Sequence, residues 1–272
     1  MRLDQTTIHG LISNFLSTNA IDLKDLEFID PWCLVFVCLS MVERAENRER
    51  KLILPTNTDV LSYLKRMHFE KLLNEFGYTE SAQILSQIKL PEKDNLRVQE
   101  LYHCNYRDEF NARLEYFIKM FQNFGLDEDD SRRATSLVGE LGNNVFDHNS
   151  GNWPKNIVGC LIAGQCYPRR NEIMISVGDP GIGFLGSLKL AFPELEDDLS
   201  AIKKGLSGFT GRVGERRGNG LRLIQEWTIN NFSGKVIIQS GSGQVEVSQK
   251  GLIEQSVPPI LGTIASFVIY YK

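Results

Sequence analysis

The sequence predicts an α+β protein: a two-layer α/β sandwich with a mostly antiparallel sheet in its C-terminal part, preceded by a smaller βαβα unit. Strand patterns in the second half follow one another through hairpin turns, as NIVGCLIAG and EIMISVGD do around YPRRN. Helical patterns precede these strands instead of alternating with them, which is typical of α+β rather than parallel doubly wound folds. The charged, proline-containing segment QIKLPEKDNLR separates the halves, so the predicted domains are 1–97 and 98–272.

Composition limits the classes of partner. The 272 residues are 42% hydrophobic, enough for real cores, and carry a net charge of -4 from 30 basic and 34 acidic side chains. This balance offers no general attraction to nucleic acid or membrane, so we expect neither as a partner. No apolar run approaches the ~20 residues that span a bilayer. Because MRLDQTTIHG also lacks the regions of a signal peptide, we expect a cytoplasmic protein.

Cysteine and histidine usage argues against a disulfide framework or a zinc site. The five cysteines form no CxxC pair, and the four histidines are scattered singly along the chain. We therefore predict that the cysteines are buried reduced thiols.

The N-terminal elements are predicted in the order strand, helix, strand, helix. DLEFI and KLILP are the strands, and PWCLVFVCLSMVERA between them is a buried helix. Asp30 opens this helix with Pro31 in its first turn, and Asn57 or Thr58 caps the next helix.

The C-terminal elements begin with a helix over NARLEYFIKMFQNFG and a second helix that carries GELGNNVFDHNSG. After the first hairpin and a glycine-rich, charged middle segment, LRLIQEWTINN is predicted to be a helix. The predicted antiparallel sheet is completed by KVIIQS, QVEVSQ and TIASFVIYY.

A polar stripe runs along the helix that contains GELGNNVFDH. Glu140, Asn144 and His148 are spaced by four, so they drift only slowly around the helix and face one ligand. A neighbouring stripe supplies the packing side through Leu137, Leu141 and Val145. The spacing therefore predicts a helix with one face in the core and one face in a site.

Three further motifs follow this helix. In VGDPGIGF a strand ends at Asp179, with Gly181 and Gly183 directly after it. The other two motifs are GERRGNGLRLI, which opens a helix, and LGTIASFVIY, in which Thr263 begins the last strand. GERRGNGLRLI contains Arg216, Arg217, Gly218, Asn219, Gly220 and Leu221.

Taken in order, these motifs resemble the nucleotide-binding motifs of the GHKL superfamily, which includes gyrase, heat-shock chaperone, histidine kinase and mismatch-repair ATPases. The resemblance covers roughly residues 105 to 272. ELGNNVFDH resembles the N box, DPGIG the first glycine box, RRGNGL the second glycine box and GT the closing threonine motif. It implies a fold of the GHKL (Bergerat) type that binds ATP with Mg²⁺, and it allows a homodimer because members often dimerise.

The resemblance implies a role for each residue of the polar stripe. An amide oxygen ligates Mg²⁺ without adding negative charge beside phosphates, so Asn144 is the predicted metal ligand. Glu140, one turn earlier, is the predicted general base toward an attacking water or hydroxyl. His148 is predicted either to contact phosphate or to cap the helix end.

The resemblance also assigns the remaining motifs. The aspartate that matches Asp179 binds the adenine amino group, often with the threonine that matches Thr263 and a water. Gly181 and Gly183 let the backbone pass close to the nucleotide. Gly218 to Leu221 would present backbone N–H groups to phosphate at a helix N-terminus, with charge from Arg216 and Arg217. Residues 184–217 would form a mobile lid.

The first domain resembles the STAS-type domain of anti-sigma-factor antagonists over roughly residues 10 to 90. Phosphorylated members carry a serine after the aspartate at the helix start, whereas this chain has Pro31 after Asp30, so the usual phosphoacceptor is missing. A plain βαβα packing domain is the alternative. The pairing of the two modules implies a regulatory protein partner, with ATP controlling contact between the domains or with that partner.

Three functions follow. The first is a Mg²⁺-dependent ATP-binding regulator with slow ATP hydrolysis or serine/threonine protein phosphorylation, and the second is an ATP-switched protein-binding module without turnover. The third is an NAD-binding oxidoreductase, since GIGFLG at 181–186 satisfies GxGxxG after a strand. Pro193 interrupts the helix that a GxGxxG motif requires. A dinucleotide site at GIGFLG also leaves Glu140 and Asn144 without a role.

Overall fold

The structure is a computed structural model, which describes residues 1–15, 20–44, 51–90, 97–149, 153, 157–210 and 219–271. The N-terminal part contains β1 (Arg2–Leu3), α1 (Ile8–Phe15), β2 (Ala20–Asp22), β3 (Phe28–Ile29), α2 (Pro31–Arg44), β4 (Lys51–Ile53), α3 (Thr58–Arg66), α4 (Phe69–Glu75) and α5 (Thr79–Ser86). The next elements are β5 (Val98–Cys104), α6 (Arg107–Asn111), α7 (Leu114–Asn123), α8 (Glu128–Asn149), β6 (Cys160–Tyr167) and β7 (Glu172–Asp179). The chain continues with α9 (Gly183–Leu188), α10 (Asp198–Leu206), α11 (Gly220–Asn230), β8 (Lys235–Ser240), β9 (Gly243–Ser248), β10 (Gly251–Ser256) and β11 (Thr263–Tyr270).

A seven-stranded sheet in the order β10-β9-β8-β11-β7-β6-β5 is the centre of the fold. Every neighbouring pair in it is antiparallel. The β6–β7 hairpin turns through Pro168–Arg170, and Asn171 closes the turn in the left-handed conformation with φ 48°. The predicted α+β class with a mostly antiparallel sheet is confirmed.

One face of the sheet is covered by helices of the C-terminal part. Ile173, Ile175 and Val177 alternate along β7 and share a buried apolar cluster with side chains of α7, α8, α10 and α11. Alternation of this kind is what a strand requires when its two faces meet different surroundings.

The opposite face of the sheet is covered by α2. This helix is buried from Pro31 to Val42, and its side chains share a second apolar cluster with Met174, Ile264 and Val268 of the sheet. Small residues on β7 allow the close approach, because a methyl group at Gly178 would lie 2.4 Å from Val35 Cγ1. Burial on every side thus explains why α2 is apolar on all of its faces.

The remaining N-terminal strands form two small parallel pairs, β1 with β3 and β2 with β4. The predicted caps are confirmed: Asp30 Oδ1 accepts from the Cys33 N–H at 2.8 Å, and Asn57 caps α3. The STAS-type resemblance and the boundary at residue 97 stay predictions. In the part of the chain that the structure describes, no helix has the length and apolar character needed to cross a membrane.

Candidate functional site

Helix α8 brings the predicted polar stripe to a cleft. The Asp127 side chain accepts from the Asp130 N–H at 2.8 Å before the first turn, which stabilises the helix start. Glu140, Asn144 and His148 are half-buried and line the cleft. The packing stripe of Leu137, Leu141 and Val145 is buried, as the spacing predicts.

An inner pocket with about 650 Å³ of free space lies between α8 and the sheet. Its walls are mainly apolar and come from α8, α9, α10 and α11, including Leu141, Phe184, Leu188, Phe209 and Leu221. Asp179 at the end of β7 and Thr263 at the start of β11 supply polar groups. The pocket therefore suits a flat apolar group with a polar edge.

Asp179 is held by two hydrogen bonds that converge on one of its oxygens. Its Oδ1 accepts from the Gly181 N–H and from Asn149 Nδ2, both at 2.9 Å. Among the described residues Oδ2 has no hydrogen-bond partner, so it is the oxygen left for a ligand donor. Burial raises the pKa of Asp179 to about 7 from 3.8, although the Gly181 and Asn149 bonds oppose the shift.

A row of polar side chains crosses three strands beside Asp179. Thr263 lies opposite Asp179 on β7 and opposite Ser240 on β8 in the sheet register. Thr263 Oγ1 donates to Ser240 Oγ at 3.2 Å, and Ser240 Oγ accepts from the Phe184 N–H at 2.9 Å. The predicted proximity of Asp179 and Thr263 thus follows from strand pairing.

An outer cleft continues from the inner pocket and has about 1210 Å³ of free space, partly open to solvent. It is lined by Glu140, Asn144, His148, Asn219 and Gly220, together with an ion pair between Arg107 and Asp147. The two cavities share Asn144 and His148. A ligand with an apolar ring and a polar tail would therefore extend along the α8 stripe.

The start of α11 approaches the stripe closely. A methyl group at Gly220 would lie 2.5 Å from Glu140 Oε2 and 3.7 Å from Asn144 Nδ2. Asn144 Nδ2 is buried without a hydrogen-bond partner among the described residues. As placed, Nδ2 would donate to a ligand oxygen, and with the amide turned Oδ1 would face a cation or a ligand donor.

The two glycines of the DPGIG motif are required for different local reasons. A methyl group at Gly181 would lie 1.9 Å from Asn149 Oδ1, so only glycine lets the turn reach that amide. Gly183 has φ +70°, a backbone conformation that side chains with a Cβ rarely adopt. His148 Nδ1 lies 3.0 Å from Ser187 Oγ of α9, so the imidazole also contacts the segment after this motif.

The segment after Gly183 was predicted to be a mobile lid. Its described part is largely helical, as α9 and α10, and α10 packs on β8 and β9. The described part is thus not a loop, and Leu188, Leu195 and Ala201 form a small apolar cluster of their own, while the mobility of the segment stays a prediction. Arg216, Arg217 and Gly218 lie outside the described residues, whereas Asn219, Gly220 and Leu221 line the cleft.

Sequence reasoning missed two polar residues of the inner pocket. Asn149 ends α8 and Ser240 ends β8, and neither position stands out in the sequence. Their roles depend on contacts with Asp179 and Thr263 that are distant in sequence. The register of β8 and β11 is the signal that would have found Ser240.

The dinucleotide alternative fits the observed topology poorly. β7, which precedes GIGFLG, is antiparallel to both neighbours, and the helix after it spans only Gly183–Leu188. A dinucleotide fingerprint belongs in a parallel βαβ unit.

Comparisons with protein-family models, with curated proteins and with solved structures give no match for this chain.

Proposed function

We propose that the chain is a Mg²⁺-dependent ATP-binding regulatory protein of the GHKL type. The single observation that carries this proposal is the convergence of Asp179, Thr263, Asn144 and Glu140 on one continuous cleft. These residues come from separate motifs of the sequence, and their arrangement matches the order adenine, phosphate and attacking group.

The inner pocket supports the adenine end. Asp179 Oδ2 would accept from the exocyclic amino group, while Oδ1 stays occupied by Asn149 and Gly181. Phe184, Leu188 and other apolar side chains would cover the ring faces. A buried acceptor beside a buried donor favours the aminopurine over a base that presents an acceptor there.

The outer cleft supports the phosphate end. Asn144 would hold Mg²⁺ through its amide oxygen, and the N-terminus of α11 at Gly220 would present backbone donors to phosphate. The unpaired Nδ2 of Asn144 would donate to a phosphate oxygen, and turning the amide would bring Oδ1 to the ion. When bound, the ion neutralises phosphate charge and polarises the terminal phosphoryl group.

Glu140 is one helical turn from Asn144 and faces the same outer cleft. It would accept the proton from the attacking water or from a serine or threonine hydroxyl of a protein partner. We infer slow hydrolysis or protein phosphorylation from this placement. Separately, we propose the cytoplasm as the compartment. A binding module without turnover would bind ATP in the same cleft, and Glu140 would have no catalytic role.

A thermal-shift panel tests ligand binding. ATP with Mg²⁺ should raise the unfolding midpoint, whereas NAD should not. At a hundredfold excess of ATP over its Kd, the free energy of unfolding should rise by about 2.7 kcal/mol. Stabilisation by NAD and none by ATP would overturn the proposal.

Phosphate release at equal nucleotide occupancy separates turnover from binding only. Glu140→Gln should lower release about 10²–10⁴-fold while the affinity for ATP persists. Glu128→Gln, on the exposed first turn of the same helix, is the matched control. Equal rates in wild type and Glu140→Gln would favour the module without turnover.

A further inference from the structure

Two cysteines face each other at the edge of the seven-stranded sheet. Cys104 ends β5, Cys160 begins β6, and the two are direct partners in the antiparallel register. Opposed Cα atoms in such pairs lie about 4.5–5.5 Å apart, within the ~4.4–6.8 Å that a disulfide requires. Both thiols are free. Bridging them therefore needs little backbone movement.

Both thiols are buried, Cys104 at 2% exposure and Cys160 at 0%, but only Cys104 borders a surface pocket. Cys104 lines an open surface pocket with about 800 Å³ of free space, together with Tyr102, Glu109, Arg113 and Tyr116. Cys160 is fully buried in the apolar cluster behind it. A small oxidant that enters this pocket meets Cys104 first.

The two thiols also differ in acidity. The neighbouring Cys160 thiol is the main cause that lowers the pKa of Cys104 below its usual value. Arg113 and His103 act in the same direction, whereas burial and the Glu109 carboxylate oppose them. Burial raises the pKa of Cys160 well above its usual value. Cys104 is thus the better nucleophile, since the thiolate is the reactive form. Cys160 is the thiol that reacts second.

We propose that Cys104 and Cys160 are a peroxide-sensitive thiol pair that closes a cross-strand disulfide. The Cys104 thiolate attacks one peroxide oxygen, the O–O bond breaks, and the products are a sulfenic acid and water or an alcohol. Cys160 then attacks the Cys104 sulfur, the S–O bond breaks and a second water leaves. The two thiols lose two electrons in total, the peroxide gains them, and a small dithiol reverses the bridge.

The disulfide would close a loop that contains α6, α7 and α8, and with them Glu140, Asn144 and His148. Closing a loop of this length restricts the unfolded chain, so oxidation should raise the unfolding midpoint. Leu161, the residue after Cys160, pairs in the sheet with Gly178, the residue before Asp179. If the proposed function holds, the oxidised pair therefore borders the adenine end of the cleft.

Peptide mapping of the full chain tests the pair without nucleotide. Reduced protein is exposed to hydrogen peroxide, alkylated, digested and analysed by mass spectrometry without reductant. We expect a linked peptide pair that joins Cys104 to Cys160 with the loss of two hydrogens, reversal by dithiothreitol, and a higher unfolding midpoint. Cys104→Ser and Cys160→Ser should abolish the link, whereas Cys166→Ser, which removes a buried thiol opposite Ile173, should keep it.

Oxidation of Cys104 to sulfinic or sulfonic acid with Cys160 still alkylatable, or no reaction at either thiol, would overturn the proposal. The map of the wild-type protein is decisive even if a serine variant fails to fold. Because no nucleotide is present, a linked pair together with absent ATP binding would remove only the proposed function.

Discussion

Asn149 Nδ2 in the last turn of α8 donates a 2.9 Å hydrogen bond to Asp179 Oδ1 at the end of β7. The same amide accepts from the Ile182 N–H at 3.0 Å through its Oδ1 and is 4% exposed. One side chain therefore fixes both the carboxylate of the inner pocket and the turn that follows it.

Asn149→Ala should destabilise the protein and weaken nucleotide binding together. It leaves the Ile182 N–H and Asp179 without their buried partner, a loss of about 1–3 kcal/mol in the free energy of unfolding. Urea unfolding and ATP titration measure the two effects. Asn123→Ala, at the exposed end of α7, is the control and should change neither quantity appreciably. Unaltered ATP affinity in Asn149→Ala would show that Asp179 is positioned without this amide.

Asp179→Asn should change how stability depends on pH. The folded carboxyl keeps its proton up to a pKa of about 7, whereas the ordinary value is 3.8. The folded state therefore binds more protons between these values, so the free energy of unfolding falls as the pH rises through this window. The neutral amide of Asp179→Asn avoids this loss, so the variant should be more stable than wild type at pH about 8 and similar at pH about 4.

Urea unfolding across this pH range measures the difference between the two proteins. Asp30, whose pKa burial raises to about 6, contributes the same fall to both and cancels. The amide in Asp179→Asn would present a donor to the adenine amino group, so ATP stabilisation should be lost while the fold gains stability. Parallel pH profiles for wild type and variant would contradict the raised pKa of Asp179.

The sequence predicted the elements whose pattern is local. β7 shows alternating Ile173, Ile175 and Val177, and the caps Asp30 and Asn57 stand directly before their helices. These features depend on neighbours a few residues apart, so composition and spacing reveal them.

The elements and contacts that were missed depend on partners distant in the chain. β10 has no buried residue, so it lacks the alternation that marks a strand, and its pairing with β9 defines it. The apolar surface of α2 predicted burial but not the sheet face that covers it. Asn149 meets Asp179 only after α8 packs against β7, and no local pattern encodes that contact.

Gly220→Ala should impair turnover more than stability. The added methyl group would lie 2.5 Å from Glu140 Oε2, the mobile end of a long side chain, so the carboxylate would be displaced at small cost to folding. A displaced general base loses much of a contribution of about 10²–10⁴-fold. Phosphate release and thermal unfolding measure the two effects. Gly10→Ala, at an exposed position of α1 with no atom within 4 Å of the new methyl group, should leave turnover unchanged.

Gly178→Ala should loosen the packing between the N-terminal part and the sheet. Its methyl group would lie 2.4 Å from Val35 Cγ1, so α2 must move away from β7, with an overpacking cost of about 1–3 kcal/mol. Gly139→Ala is the matched control, since its methyl group meets Leu114 at an ordinary 3.6 Å and should stabilise α8 by about 0.5–1 kcal/mol.

Chemical denaturation followed by two probes measures the effect of Gly178→Ala on cooperativity. In a Trp153→Phe/Trp227→Phe background, fluorescence of buried Trp32 in α2 and far-ultraviolet circular dichroism should report one coincident transition, because one apolar cluster joins α2 to Met174, Ile264 and Val268. In Gly178→Ala the coincident midpoint should shift to lower denaturant. An early Trp32 transition in that background without Gly178→Ala, followed by a separate unfolding of the sheet, would show that residues 1–97 unfold on their own despite this shared core.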